Sequence, residues 1–350
     1  MGRKLLWGSL VLAPITFVLR YAFDVGDVAL FAVSAAALVP LAWLIGEATD
    51  HAGRHTGPGI GGFLNASFGN APELIIALFA VADGLPNVVR GSLIGSVVSN
   101  LLLVLGFAVL AAPDRERGVD RPSLLTQLAL VLAAAVLFLI PSVPGWSGDP
   151  ERHSLAVATV PVAVVLLLLY AGATLWSLRR HKRLHAESGA EAEGAWSMPV
   201  ALIALTAATA VTAVVSEILV HSLKEFAHQA HLSQFFVSVV IVAIVGNAAE
   251  HGGAVVLARR GGNLEIANEI ALSSSAQVAL LVTPAVALLS WAVKPALPLS
   301  FRPVELAALG AAVLFVGAAL RDGNARRREG LVLVCLYALV ALGFYLAGDR

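Results

Sequence analysis

Apolar residues run along this chain in long blocks of about twenty positions, separated by short polar or turn-forming stretches. Eleven blocks can be marked, near 5–21, 28–47, 60–84, 91–111, 123–140, 154–178, 199–220, 234–258, 266–291, 303–320 and 330–348. A helix needs roughly 20 mostly apolar residues to cross the ~30 Å hydrocarbon layer of a bilayer, so each block predicts one spanning helix. Turn chemistry separates most of them: Pro113-Asp114, Pro141-Ser142-Val143-Pro144-Gly145, Arg260-Gly261-Gly262-Asn263 and Asp322-Gly323-Asn324. The pattern predicts an all-α integral membrane protein of eleven transmembrane helices.

Composition agrees. Only 13% of the 350 residues are charged, about half the share of a soluble domain, and the mean hydropathy is +0.84. Lys and Arg total 23 and so do Asp and Glu, a balance that excludes nucleic acid as a partner and leaves the bilayer as the solvent. The single Cys335 excludes a disulfide scaffold or a cysteine zinc site.

The basic residues predict the orientation. With eleven spans and the N-terminus cytoplasmic, the inner segments carry sixteen Lys and Arg and the outer segments seven. The positive-inside rule therefore puts the C-terminus outside. With 19 Arg against 4 Lys, the composition suggests a GC-rich prokaryote and hence its cell (inner) membrane. The one sizeable hydrophilic stretch, 179–198, is basic at Arg179, Arg180, Lys182 and Arg183, then acidic at Glu187, Glu191 and Glu193. It reads as a cytoplasmic linker between residues 26–178 and 199–350, five spans each, with residues 1–25 as an extra first span.

The two halves repeat. Gly69-Asn70-Ala71-Pro72-Glu73 in the third span returns as Gly246-Asn247-Ala248-Ala249-Glu250 in the eighth. Five spans separate the copies, so they cross the membrane in opposite directions, as in the inverted repeats that build the midplane sites of secondary transporters. The following spans match in character, with Ser96, Ser99 and Asn100 in one and Ser273, Ser274 and Gln277 in the other. Their spacing predicts one polar helix face in each.

Most acids sit in loops or at span ends; Glu73 and Glu250 lie deep within theirs, without a Lys or Arg at comparable depth. A lone charge at the bilayer centre costs at least ~2.5–3.5 kcal/mol, so such residues are functional by default. Asn70 and Glu73, and likewise Asn247 and Glu250, are spaced i, i+3 and are expected to share a face. Gly69 and Gly246 permit close helix approach, and Pro72 frees backbone carbonyls one turn earlier. Carboxylates, amide oxygens and carbonyls are hard ligands suited to Ca²⁺, which takes about 6–8 oxygens, better than to Mg²⁺, which dehydrates reluctantly. His251 leaves an opening for a transition metal. The expected metal site is thus Glu73, Glu250, Asn70, Asn247, Gly69 and Gly246, with Glu73 and Glu250 also binding protons. One Ca²⁺ or two protons neutralise the carboxylate pair, whose repulsion lets protons compete with the metal. The empty, doubly charged site resists reorientation, and obligatory exchange follows.

These paired motifs resemble the signature of the calcium/proton antiporters, the Ca²⁺/H⁺ branch of the cation/calcium exchanger superfamily. The likeness extends through Gly61-Gly62-Phe63-Leu64-Asn65-Ala66-Ser67-Phe68 and from Gly95-Ser96 to Ser99-Asn100-Leu101-Leu102-Leu103-Val104-Leu105-Gly106. The resemblance implies that Glu73 and Glu250 carry the ion, helped by Asn70, Asn247 and carbonyls. Ser96, Ser99, Asn100, Ser274 and Gln277 would be supporting polar groups, and Thr49-Asp50 and Ser216-Glu217 resemble acidic positions that guide ions, making Asp50 and Glu217 candidate gate residues. Ser273-Ser274-Ser275 departs from the more usual Gly-Ser-Ser, and Asp50 stands where Glu is commoner.

The expected function is therefore Ca²⁺/H⁺ exchange by alternating access, exporting Ca²⁺ from the cytosol, with the ions as cargo and without a cofactor; a homo-oligomer stays open. The rivals are a Na⁺/Ca²⁺ or Mn²⁺ exchanger of the same superfamily, although Na⁺-coupled members typically show Thr or Ser where Asn70 and Asn247 stand. A channel fits the paired carboxylates less well. An intramembrane hydrolase is more remote, since His-Glu-x-x-His is missing from the sequence. The chain is not expected to be an enzyme.

Overall fold

The computed structural model describes residues 2–23, 25–113, 118–182, 196–261 and 264–349. Residues 183–195, most of the expected linker, fall outside them. The first half begins with α1 (Gly2–Ser9), α2 (Leu12–Tyr21), α3 (Asp27–Phe68) and α4 (Ala71–Ala82). It continues with α5 (Pro86–Val98), α6 (Leu105–Ala111), α7 (Arg121–Gly145) and α8 (His153–Lys182). The second half opens with α9 (Met198–Gln229), α10 (Gln234–Phe236), α11 (Ala243–Gly246) and α12 (Ala248–Gly261). It closes with α13 (Leu264–Gln277), α14 (Thr283–Val293), α15 (Pro303–Ala319) and α16 (Arg327–Ala347). Wide π-helical turns at Ser99–Val104, Val237–Val242 and Val278–Val282 join α5 to α6, α10 to α11 and α13 to α14.

Among the described residues, eight helices are long and apolar enough to cross a membrane, and a pair bent by 59°, Gln234–Gly246 with Ala248–Arg259, makes a ninth. Ala71–Ala82 and Pro303–Ala319, inside the expected third and tenth spans, are shorter apolar helices. The third span is the clearest difference from the sequence pattern. Its expected start near residue 60 is absorbed into α3, which runs unbroken for 42 residues, about 60 Å at ~1.5 Å per residue. The polar stretch between the two apolar blocks stays helical, and its polar side chains meet one turn apart. Glu47 faces His51 at 3.4 Å and Asp50 meets Arg54 at 2.7 Å, the spacing that supports a helix.

The core is built of small and branched residues. Ala37, Leu38, Val88, Val89, Leu101, Leu102 and Leu105 have essentially no exposure. Large apolar side chains point outward on α7 and α8, among them Leu125, Val136, Leu168 and Leu175, as expected of a surface facing lipid rather than water. Close packing rests on Gly91 and Gly95 of α5. A Cβ at Gly91 would meet the Phe235 carbonyl oxygen at 3.0 Å, and one at Gly95 would run into that of Val239. This is the small-residue contact by which membrane helices approach. It seats the polar face of α5 against the helix leading to Asn247.

Candidate functional site

Both repeated motifs interrupt a helix. After α3 ends at Phe68, Gly69 and Asn70 form a turn, and α4 begins at Ala71 with Pro72 in its first turn. Asn70 is the residue before the helix, with φ −96° and ψ 16°. Asn247 holds the same place before α12, with φ −94° and ψ 9°. Pro72 cannot alone cause such a break, since Ala249 occupies the matching position.

The expectation that Asn70 and Glu73 share the face of one continuous helix is corrected here. Asn70 and Asn247 precede their helices, while Glu73 and Glu250 lie in the first turn of α4 and α12. Each acid therefore stands at the positive end of a half-helix, where backbone N–H groups favour an anion. The helix-start signature was present in the sequence: Asn, then Glu three residues later, with Pro between them in one copy.

Both carboxylates turn inward across the two halves. Glu73 is buried, and a Cβ on Gly246 would stand 3.4 Å from its Oε1. Glu250 lies close enough for its charge to act on Glu73, and the Ser274 hydroxyl stands beside it. Ser274 accepts a hydrogen bond from Asn100 Nδ2 at 3.0 Å. Asn70 Nδ2 donates to Gln277 Oε1 at 2.7 Å. Asn247 Nδ2 donates to Ser96 Oγ at 2.8 Å and to the Ala243 carbonyl at 3.1 Å. Ser99 bonds the Ser96 carbonyl at 3.2 Å.

With the amide nitrogens engaged, the oxygens face elsewhere. Glu73 Oε2, Glu250 Oε2, Asn100 Oδ1 and Asn247 Oδ1 are buried without a hydrogen-bond partner among the described residues. Such atoms are costly unless something satisfies them. They are acceptors only, the right set for a hard cation or, at the carboxylates, for protons. No ion pair reaches Glu73 or Glu250 among the described residues, and no group of three His, Cys, Asp or Glu is clustered there. The donor set is two acids supplemented by amides.

The expected gate residues lie apart from this cluster. Asp50 and Glu217 are exposed, and Asp50 is engaged by Arg54. Their neighbours Thr49 and Ser216 are the buried members of each pair, at 1% and 0% exposure; sequence reasoning emphasised the charges instead. The sequence named Asn100 and Ser274 but not their hydrogen bond, which depends on how α13 meets the Ser99–Val104 turn in space.

Comparison with known proteins adds an independent line. The family described as "Sodium/calcium exchanger protein" matches residues 27–179 and 200–346. A Ca²⁺/H⁺ antiporter, ChaA, from Bacillus subtilis (strain 168) is 39% identical over 326 residues, covering 91% of this chain and 92% of its own length. A Ca²⁺/H⁺ antiporter from Synechocystis sp. is 33% identical over 360 residues, covering 96% and 95%. A crystal structure of the Ca²⁺/H⁺ antiporter protein YfkE superposes with a TM-score of 0.83 at 34% identity, covering 98% of this chain and 99% of that one.

Proposed function

From the premise that this chain belongs to the sodium/calcium exchanger protein family, we propose that it exchanges Ca²⁺ for H⁺ across a membrane at the Glu73–Glu250 pair. It is an integral membrane protein, and the relatives reported above are Ca²⁺/H⁺ antiporters. The observation that carries the assignment of the site is the mirrored pair of helix starts, with the Glu73 carboxylate against Gly246.

In this reading one Ca²⁺ takes both carboxylates, with Asn70 and Asn247 supplying amide oxygen and the turns at Gly69 and Gly246 supplying carbonyls. Ser96, Ser99, Asn100, Ser274 and Gln277 hold those groups in place. Two protons take the place of the metal on the return step. Bare, the pair carries two negative charges in a low-dielectric interior, where their repulsion and desolvation are largest, so the protein alternates access only when loaded. Asp50 and Glu217 draw cations toward the mouths of the pathway.

Residues 26–178 and 199–350 form the two oppositely oriented halves, joined through 179–198. The N-terminus is cytoplasmic, the C-terminus is outside, and Ca²⁺ leaves the cytosol of a prokaryotic cell. The match of the family to two blocks that leave out residues 180–199 supports this division. Asn70 and Asn247, in place of hydroxyl residues, favour protons over Na⁺ as the counter-ion.

The test is reconstitution without Na⁺. Proteoliposomes with an acidic lumen should accumulate ⁴⁵Ca²⁺ while the lumen becomes alkaline, and collapse of the pH gradient should stop both. Uptake that requires Na⁺, or that leaves luminal pH unchanged, would refute proton exchange.

A further inference from the structure

Away from the carboxylates, a cluster ties the stretch leading into α9 to the middle of α3. His51 of α3, only 5% exposed, accepts a hydrogen bond at Nδ1 from the backbone N–H of Trp196 at 3.2 Å. Its ring lies flat on the Trp196 indole, with centroids 4.6 Å apart and planes 17° from parallel. One turn along α3, His55 Nε2 meets the Trp196 carbonyl oxygen at 2.6 Å. Two imidazoles thus hold both backbone polar groups of a single residue. Trp7 of α1 approaches the same indole, centroid to centroid 6.2 Å, and packs edge-on to Trp43. Trp196 stands two residues before α9 begins at Met198.

The chemistry of the contacts fixes the protons. A backbone N–H can only donate, so His51 Nδ1 must present a lone pair. The hydrogen of a neutral His51 is then on Nε2, which faces Glu47 Oε1 at 3.4 Å. A carbonyl oxygen can only accept, so His55 Nε2 carries a hydrogen whether that ring is neutral or charged. The two histidines differ in consequence. A second proton on His51 must go to Nδ1, where it confronts the Trp196 N–H donor and breaks that bond. A second proton on His55 leaves its contact intact.

We propose that His51 is a proton-operated latch: neutral, it holds Trp196 and the start of α9 against α3; protonated, it releases them. The charged groups around it do not oppose this. Glu47 on α3 receives the charged ring through Nε2, so it rewards protonation while the Trp196 bond is lost. Asp50 and Arg54 neutralise each other at 2.7 Å. Trp196 and Trp7 are uncharged, and Lys4, one turn before Trp7 on α1, is exposed. α9 carries no charged residue before Glu217 and α11 carries none; of the other helices packed on α3, α2 brings Arg20, α4 brings Glu73, α12 brings Glu250, His251, Arg259 and Arg260, and α8 brings charges only at its two ends. Because α3 leads into the Gly69–Asn70 break, freedom at the latch is freedom for the helices that frame the ion site.

The emission of Trp196, taken as the difference between the wild type and Trp196→Phe in detergent, tests the latch independently of which ions are carried. Scanned between about pH 5.5 and 8, the wild type should show a single step, quenched on the acid side. His51→Phe, which keeps a ring on the indole and removes the acceptor, should lose that step. In reconstituted transport, the wild type should turn over more slowly than His51→Phe near the alkaline limit and match it near the acid limit, with an unchanged KM for Ca²⁺. A flat wild-type profile refutes the latch without any variant, and a step that persists in His51→Phe assigns the titration elsewhere.

Discussion

The carboxylate of Glu73, from the first repeat, lies against Gly246 of the second, so closely that a Cβ there would sit 3.4 Å from Oε1 and 3.5 Å from Cγ. The second motif therefore shapes the site of the first. Gly246, the last residue of α11, leaves the space into which Glu73 reaches.

Gly246→Ala should be tolerated, because 3.4 Å is an ordinary contact. Gly246→Leu should not, since a branched side chain in that space must displace the Glu73 carboxylate. We expect transport to fall to background in Gly246→Leu while expression and the melting temperature stay within reach of the wild type, measured by uptake and thermal unfolding of the same preparation. Retained uptake would mean that Glu73 does not need this position.

Ser274 accepts a hydrogen bond from Asn100 Nδ2 and stands beside Glu250. Ser274→Ala removes a buried hydroxyl and leaves Asn100 Nδ2 without its acceptor, worth about 1–3 kcal/mol when buried. The apparent KM for Ca²⁺ should rise by roughly tenfold, since 1.4 kcal/mol corresponds to a factor of ten. Asn70→Ala should raise KM in the same direction and more than it slows turnover. KM values unchanged in initial-rate titrations would exclude both residues from supporting the metal.

Gly95 concerns the scaffold. Its missing Cβ is what lets α5 touch the backbone of Val239, and forcing atoms into such a contact costs about 1–3 kcal/mol. Gly95→Ala should lower the melting temperature by several degrees and weaken transport in proportion to folded protein. An unshifted melting curve would show that α5 and the Val237–Val242 turn can separate at no cost.

Much of this was legible in the sequence, for physical reasons. Apolar length is a strong signal in a membrane, so the all-helical class was legible, although eight or nine helices rather than eleven are long and apolar enough to span among the described residues. The repeated Gly-Asn-Ala-x-Glu singled out the two acids as candidates because charge inside a bilayer is rare. What escaped was set by three-dimensional packing. The continuity of α3 sets Glu47 against His51 and Asp50 against Arg54, residues that look like loop charges in one dimension. Arg90, one of the seven basic residues of the expected outer segments, is 1% exposed and meets Glu151 at 2.7 Å, sixty-one positions away. The Asn-to-Glu spacing was read as one helix face because apolar context hid a helix start.

The most direct test of the central claim is ΔpH-driven ⁴⁵Ca²⁺ uptake by Glu73→Gln and Glu250→Gln in Na⁺-free proteoliposomes, at matched amounts of folded protein. Glutamine keeps the shape and removes the charge, so each variant should lose exchange altogether, because neither ion then neutralises a pair. Near wild-type uptake in either one would contradict the account.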